Sequence, residues 1–247
     1  MTDSAKEVAL VTGAARRIGA EIVRHLHQSG INIVLHYRTS GEAAREVAAE
    51  LNQIRPGSAI TIQGDFIHNQ TIPQMVAKTI QLFGRLDIII NNASSFYPTP
   101  IGEITEEDWD ILLGSNLKGH LFIAQAAADE LRKNHGCIVN IVDIHAERPL
   151  KNYPVYSVAK AGLMALTKSL ARELAPEVRV NAVAPGAILW PEAPHHEAQH
   201  QKIIQRTALK REGEPADIAR TVEFLVNNAP YITGQIIAVD GGRTLSN

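Results

Sequence analysis

A single cysteine in 247 residues, Cys137, excludes an intrachain disulfide. Long hydrophobic runs are missing as well: apolar stretches such as IIINNA break off after a few residues, far short of the roughly 20 that a helix needs to cross a bilayer. Neither sign of charge dominates, since 24 Lys and Arg face 26 Asp and Glu for a formal net charge of −2. That balance provides no basic face for nucleic acid and no acidic tail. The stretch MTDSAKEVALVTG carries charges where a signal peptide needs an apolar core. The expectation is therefore a cytoplasmic chain without membrane or nucleic-acid partners. Repeats, low-complexity stretches and linkers are also lacking, so one domain over residues 1–247 is expected.

What is present is an even alternation of short apolar strands and amphipathic helical segments. EVALVT, INIVLHY, SAITIQG, LDIIINN, GCIVNIV, VRVNAVA and QIIAVDGG read as buried strands. The first is followed by GAARRIGAEIVRHLHQSG, a glycine-opened helix with Gly30 as its C-cap. This order predicts an α/β, doubly wound parallel sheet of about seven strands, helices on both faces, with a cofactor crevice at the carboxyl ends of the strands. Thr105-Glu-Glu-Asp108 predicts a capping box, and Pro215 a first helical turn. Gly186 to Glu214 lacks a strand pattern and reads as one long irregular insertion, a candidate substrate lid over about 187–212.

Thr12-Gly13-Ala14-Ala15-Arg16-Arg17-Ile18-Gly19 follows the first strand, where small residues let backbone amides approach a pyrophosphate at a helix N-terminus. At the end of the second strand, where an NAD-binding fold carries an acid for the ribose hydroxyls, the chain reads His36-Tyr37-Arg38-Thr39-Ser40. No carboxylate stands there. Arg38, Ser40 and nearby Arg16 suit a 2′-phosphate, which favours NADPH over NADH. Asp65, just after the third strand, is placed to bond the adenine amino group, and equally placed to be a turn residue.

The chemical signal lies further on. Asp143 precedes Tyr156 by thirteen positions, and Lys160 follows Tyr156 by four. Residues four apart share a helix face, so the ammonium comes near the phenol. A charge roughly 4 Å away at an effective dielectric of about 20 is worth up to ~4 kcal/mol, enough to draw a phenol from about 10 toward neutrality. Asp143 pushes the other way, so Tyr156 and Asp143 are expected to titrate jointly.

Taken together, TGAARRIG, NNAS at 91–94, Asn116, Tyr156-x-x-x-Lys160, Pro185-Gly186 and the terminal VDGG resemble the short-chain dehydrogenase/reductase family from end to end. Three positions depart from the common pattern: Arg17 stands for a glycine, Ser94 for the last glycine of NNAG, and Asp143 for the usual catalytic serine. These departures, with NNASSFYPTP, resemble the pteridine reductase branch, which reduces pterins and folates with NADPH. The resemblance implies that Tyr156 and Asp143 deliver protons and that Lys160 binds the nicotinamide ribose. It further implies that Asn116 positions Lys160 through backbone and water, and that Gly13, Arg16, Arg17, Ile18, Gly19, His36, Tyr37, Arg38, Ser40, Asp65, Asn92, Ala93, Ser94, Pro185 and Gly186 border the cofactor. Phe96 would stack the pterin, with Arg17, Ser94, Leu189 and Trp190 also facing substrate. A homotetramer is implied as well.

Asp143 supports that branch on chemical grounds. A serine hydroxyl donates to a ketone oxygen, whereas an ionised carboxylate presents only lone pairs and repels it. A reduced pyrimidine ring offers N–H and amino donors and needs a proton at nitrogen, which suits reduction of a C=N bond. Two rival readings keep the fold: a carbonyl reductase, such as a 3-oxoacyl-thioester reductase with Asp143 neutral, and a non-catalytic NADPH-binding sensor. His195, His196 and His200 lack a third ligand, so no metal is expected. Ser157 lacks an acid-oriented histidine, which weakens a hydrolase reading.

Overall fold

The computed structural model describes residues 6–67, 70–188 and 197–245. Seven parallel strands form one sheet in the order β3-β2-β1-β4-β5-β6-β7. They are β1 (Val8–Val11), β2 (Asn32–Tyr37), β3 (Ala59–Gln63), β4 (Ile88–Asn91), β5 (Cys137–Ile141), β6 (Arg179–Pro185) and β7 (Ile236–Val239). The helices are α1 (Arg17–Gln28), α2 (Gly41–Ile54), α3 (Thr71–Phe83), α4 (Glu106–Leu113), α5 (Gly119–Lys133), α6 (Pro154–Glu173), α7 (Glu197–Arg206) and α8 (Pro215–Asn227). This is the doubly wound architecture that the alternation predicted.

The central strands are largely apolar because both faces are covered, with the buried Asn91 and Asn140 bonded to each other across β4 and β5. Along β1, Ala9 and Val11 enter a core with Ile22 and Val23 of α1, Val47 of α2 and Val222 of α8. Val8 and Leu10, on the opposite face, join Val76 of α3, Ile123 of α5 and Ala171 of α6. The period-two alternation of the strand thus feeds two separate cores.

Strand order reverses between β1 and β4, and a compact knot of hydrogen bonds holds that point. Buried Thr12 Oγ1 donates to Ile90 O and accepts the amides of Asn92 and Ala93, both at 2.9 Å. Asn92 Nδ2 returns two bonds, to Thr12 O at 2.9 Å and Gly13 O at 3.0 Å. The loops after the two strands are thereby fixed against each other, which forms the crevice at the switch point.

Local signals read from the chain recur with their geometry. Thr105 and Asp108 form a reciprocal capping box on α4, Pro215 opens α8, and Gly30, at φ 95°, follows the cap of α1. Between α4 and α5 the helix widens into one π turn, Gly114–Lys118. The insertion differs from expectation. It carries α7 and a parallel bridge between Ile188 and Gly213, so it is not irregular throughout. EAQHQKIIQR holds only two adjacent isoleucines and an alanine among polar residues, too thin a stripe to announce a helix. Among the described residues no helix is long and apolar enough to cross a membrane.

Replacing Thr12 by isosteric valine strips two backbone amides of their acceptor, so Thr12→Val is expected to lose roughly 2–4 kcal/mol of stability in urea unfolding. A loss below about 1 kcal/mol would mean the knot is dispensable.

Candidate active site

The carboxyl ends of β1 to β4 border a cleft of ≈ 230 Å³, lined by Gly13, Arg16, Tyr37, Arg38, Thr39, Ser40, Asp65, Ala93 and Ser94 among others. Its tight places explain two glycines. A Cβ on Gly13 would sit 2.9 Å from Ala93 Cα, and Gly13 also has φ 62°. A Cβ on Gly19 would sit 2.3 Å from Gly13 O and 2.6 Å from Asn92 Nδ2. Arg17, where the common pattern has glycine, is left-handed at φ 53°, a conformation strained for a side chain. Arg16 and Arg17 are exposed, and Ile18 packs its side chain onto the core below.

Along the far wall, exposed Arg38 precedes Ser40, which caps α2 without a side-chain bond to the helix. The ring of Tyr37 lies where a Cβ on Gly41 would meet it at 3.0 Å. Asp65 faces the cleft while its Oδ1 accepts the Ile67 amide at 3.1 Å, so it is also a turn residue. Here the structure adds something the sequence did not announce: His36 is buried, with both ring nitrogens bonded to protein. It supports the loops that shape the cleft. A narrow glycine loop at a helix start, cationic and hydroxyl groups on the opposite wall and an acid at the third strand fit a nicotinamide dinucleotide.

At the other end of the crevice, α6 turns Tyr156 and Lys160 inward on one buried face. Asp143, extended at φ −163°, caps the short turn Ile144–Ala146 with Oδ1, which accepts the His145 amide at 2.8 Å. Its Oδ2 accepts the Tyr156 hydroxyl at 2.7 Å. The acid is therefore both a turn cap and the partner of the tyrosine. Lys160, 2 % exposed, donates to Ile141 O at 2.8 Å and stands 5.8 Å from the Tyr156 ring centre.

The electrostatics correct the expectation of a phenol drawn toward neutrality. Burial first, and then the Asp143 charge and its hydrogen bond, raise Tyr156 well above its ordinary value. Lys160 fails to offset this because its ammonium bonds to a carbonyl and lies beside the ring without reaching the hydroxyl. Burial pushes Lys160 itself down to about 8, against the opposing charge of Asp143.

Asn116 lies in the π turn, wholly buried, and its Nδ2 donates to Ser95 O and Leu112 O, both at 2.9 Å. Its Oδ1 has no partner among the described residues. No direct bond joins Asn116 to Lys160. Phe96, 54 % exposed, stacks on Tyr153 at 4.5 Å and meets Tyr156 edge-on at 4.9 Å, so it is no core residue. Tyr153 was missed by sequence reasoning; it caps α6 three positions before Tyr156 and lies outside the helical spacing that singled out Tyr156 and Lys160. Gly186 bonds Val239 O at 3.0 Å and passes so close to Asp240 that a Cβ would meet its Cα at 2.7 Å. Pro185 ends β6 beside Val239 of β7, so this pair joins the two strands. Leu189, Trp190, His195 and His196 lie outside the described residues, among which no three metal-ligating side chains converge.

This fold, with its glycine loop and a tyrosine and lysine one turn apart in the crevice, defines a nicotinamide-dependent oxidoreductase. The chain belongs to the short-chain dehydrogenase/reductase family: a family model described as Enoyl-(Acyl carrier protein) reductase matches residues 13–244. It is 36% identical to Pteridine reductase 1 of Leishmania tarentolae over 99% of both chains. It is equally 36% identical to a 3-oxoacyl-(acyl-carrier-protein) reductase of Synechocystis, over 99% of this chain and 100% of that one. A Staphylococcus aureus protein with the same activity in its name is 37% identical over 95% of this chain.

A raised phenol pKa favours the neutral form, so Tyr156 should show no phenolate as pH rises through 10. Asp143→Asn removes the adjacent charge and should lower the ionisation pH, with burial still holding it up. Ultraviolet difference titration of each protein against its Tyr156→Phe counterpart measures both. Ionisation of wild-type Tyr156 below pH 10 would refute this account.

Proposed function

We propose that the chain is an NADPH-dependent pteridine reductase, which reduces a dihydropterin or dihydrofolate to the tetrahydro form. The observation that carries this reading is the 2.7 Å bond from the Tyr156 hydroxyl to Asp143 Oδ2. The Asp143 carboxyl accepts from two donors, that hydroxyl and the His145 amide. Its remaining lone pairs suit the amino and N–H groups of a reduced pyrimidine ring.

Bound in the cleft, NADPH supplies the hydride. Arg38, Ser40 and Arg16 would hold its 2′-phosphate, and Lys160 would hold the nicotinamide ribose. Phe96, with one face on Tyr153, turns its edge to Tyr156 and offers aromatic surface for the pterin. As a C=N carbon gains hydride, the ring nitrogen takes a proton from Tyr156. The phenolate left behind regains a proton through Asp143 from ordered water near Arg17. The functional form is a homotetramer, and a monomer in light scattering would contradict that.

A second reading rests on equal identity to the 3-oxoacyl-(acyl-carrier-protein) reductases. It requires Asp143 to be neutral, so that Tyr156 donates to a carbonyl oxygen.

Consumption of NADPH with dihydrobiopterin, dihydrofolate and acetoacetyl-CoA offered separately, and NADH as control, decides between them. Pterin or folate turnover alone is expected, with Asp143→Ala lowering it by roughly 10²-fold or more. Thioester turnover alone would favour the second reading. In the same assay Arg38→Ala should cost roughly tenfold or more in kcat/KM with NADPH while leaving NADH nearly unchanged.

A further inference from the structure

Two buried imidazoles lie outside the proton-transfer pair and face each other across one ring. Phe66, 4 % exposed, stacks on His36 with ring centres 4.6 Å apart and planes 9° from parallel. Its edge meets His120 of α5 at 6.2 Å and 80°. Two glycines leave room for this arrangement. A Cβ on Gly119 would come within 2.6 Å of Phe66 Cβ, and one on Gly64 within 3.2 Å of His36 Nε2.

The ring nitrogens reach the loops around the nucleotide cleft. His36 Nδ1 accepts the Gly13 amide at 3.2 Å, and His36 Nε2 pairs with Gly64 O at 3.1 Å. His120 Nε2 pairs with Ala93 O at 3.1 Å. An amide can only donate and a carbonyl can only accept, so His36 is neutral with its proton on Nε2, and His120 carries a proton on Nε2. Burial supports this, pushing His36 down to about 4 and His120 to about 3. Gly13, Gly64 and Ala93 all line the cleft, as do His36 and Phe66, whereas His120 does not.

We propose that the His36–Phe66–His120 stack is the spacer that sets the shape of the nucleotide cleft, with both histidines acting as positioning residues for the dinucleotide through Gly13, Gly64 and Ala93. This rests on the dinucleotide reading of the cleft. His120 argues most strongly for position over stability, because its buried Nδ1 has no hydrogen-bond partner among the described residues. An apolar ring there would avoid that unsatisfied group.

The test compares His120→Phe, which keeps an aromatic edge on Phe66 and loses the bond to Ala93 O, with His120→Gln, whose amide restores a donor. Dissociation constants for NADPH and NADH are measured by fluorescence titration, alongside melting temperature and kcat. His120→Phe should bind the preferred dinucleotide roughly five- to twentyfold more weakly, melt no lower than wild type and keep kcat within about twofold. His120→Gln should recover most of the affinity. Unchanged affinity in His120→Phe, or equal weakening in both variants, overturns the proposal. Wild type that binds neither dinucleotide overturns it together with the cofactor reading. A measurement on wild type avoids any folding defect: with ¹⁵N-labelled imidazoles, adding the dinucleotide should shift the His120 resonances although His120 does not line the cleft. Unmoved resonances, with binding confirmed, overturn the proposal.

Discussion

Everything in the crevice depends on the knot between Thr12 and Asn92 where the strand order reverses. Parallel strands bring all their carboxyl ends to one edge, but adjacent loops from β1 and β4 must diverge there to leave a crevice. Divergence exposes backbone amides that the sheet no longer satisfies. Thr12 Oγ1 takes two of them, and the Asn92 side chain answers two carbonyls from the same turn. With both loops pinned, Gly13 can approach Ala93 within a distance that no other residue type would allow. The glycine loop is narrow because its neighbour is fixed, and it opens toward the helix start for the same reason.

From that edge the chemistry follows by burial more than by pairwise charge. A lysine and a tyrosine one turn apart suggest a simple Coulombic effect on the phenol. In the folded chain both are desolvated, and desolvation favours the neutral form of each. The cation is tied to Ile141 O and stands 5.8 Å from the ring centre, so it does little for a phenolate. The acid, by contrast, touches the hydroxyl directly. Hydrogen-bond contact outweighs a charge that stands off at the ring, and the tyrosine starts as a donor.

The sheet was legible because strands buried on both faces, as β1, β4 and β5 are, must be largely apolar, and the partly buried edge strands β3 and β7 repeat short apolar runs of the same kind. Thr105 and Pro215 were legible because caps are local chemistry. The pairing of Asp143 with Tyr156 was legible only through spacing and family likeness, since nothing local brings β5 to α6. Other features were out of reach of pattern. His36 stood in a motif that points to cofactor, yet its ring nitrogens serve Gly13 and Gly64; that depends on β2, β1 and β3 being neighbours. His120 looks like a polar interruption of an apolar helix face until Phe66 and Ala93 are placed around it. The π turn carrying Asn116 leaves no sequence mark that distinguishes it from ordinary helix.

The choice between pterin and thioester chemistry narrows to one proton. Asp143 Oδ1 accepts the His145 amide and Oδ2 the Tyr156 hydroxyl, so a neutral Asp143 with its proton on Oδ2 would donate toward Tyr156. The phenol would then turn its own hydrogen outward, to an acceptor such as a carbonyl oxygen. In the ionised state the phenol points inward and the acid meets donors. The same two atoms thus offer a donor face for carbonyls or an acceptor face for a pyrimidine ring, and protonation selects between them. Both groups already bonded to the carboxyl, the His145 amide and the Tyr156 hydroxyl, meet it as an acceptor. The two chemistries therefore differ in which atom of this one hydrogen bond the substrate meets, the phenol oxygen with its hydrogen turned outward or the free lone pairs of the acid.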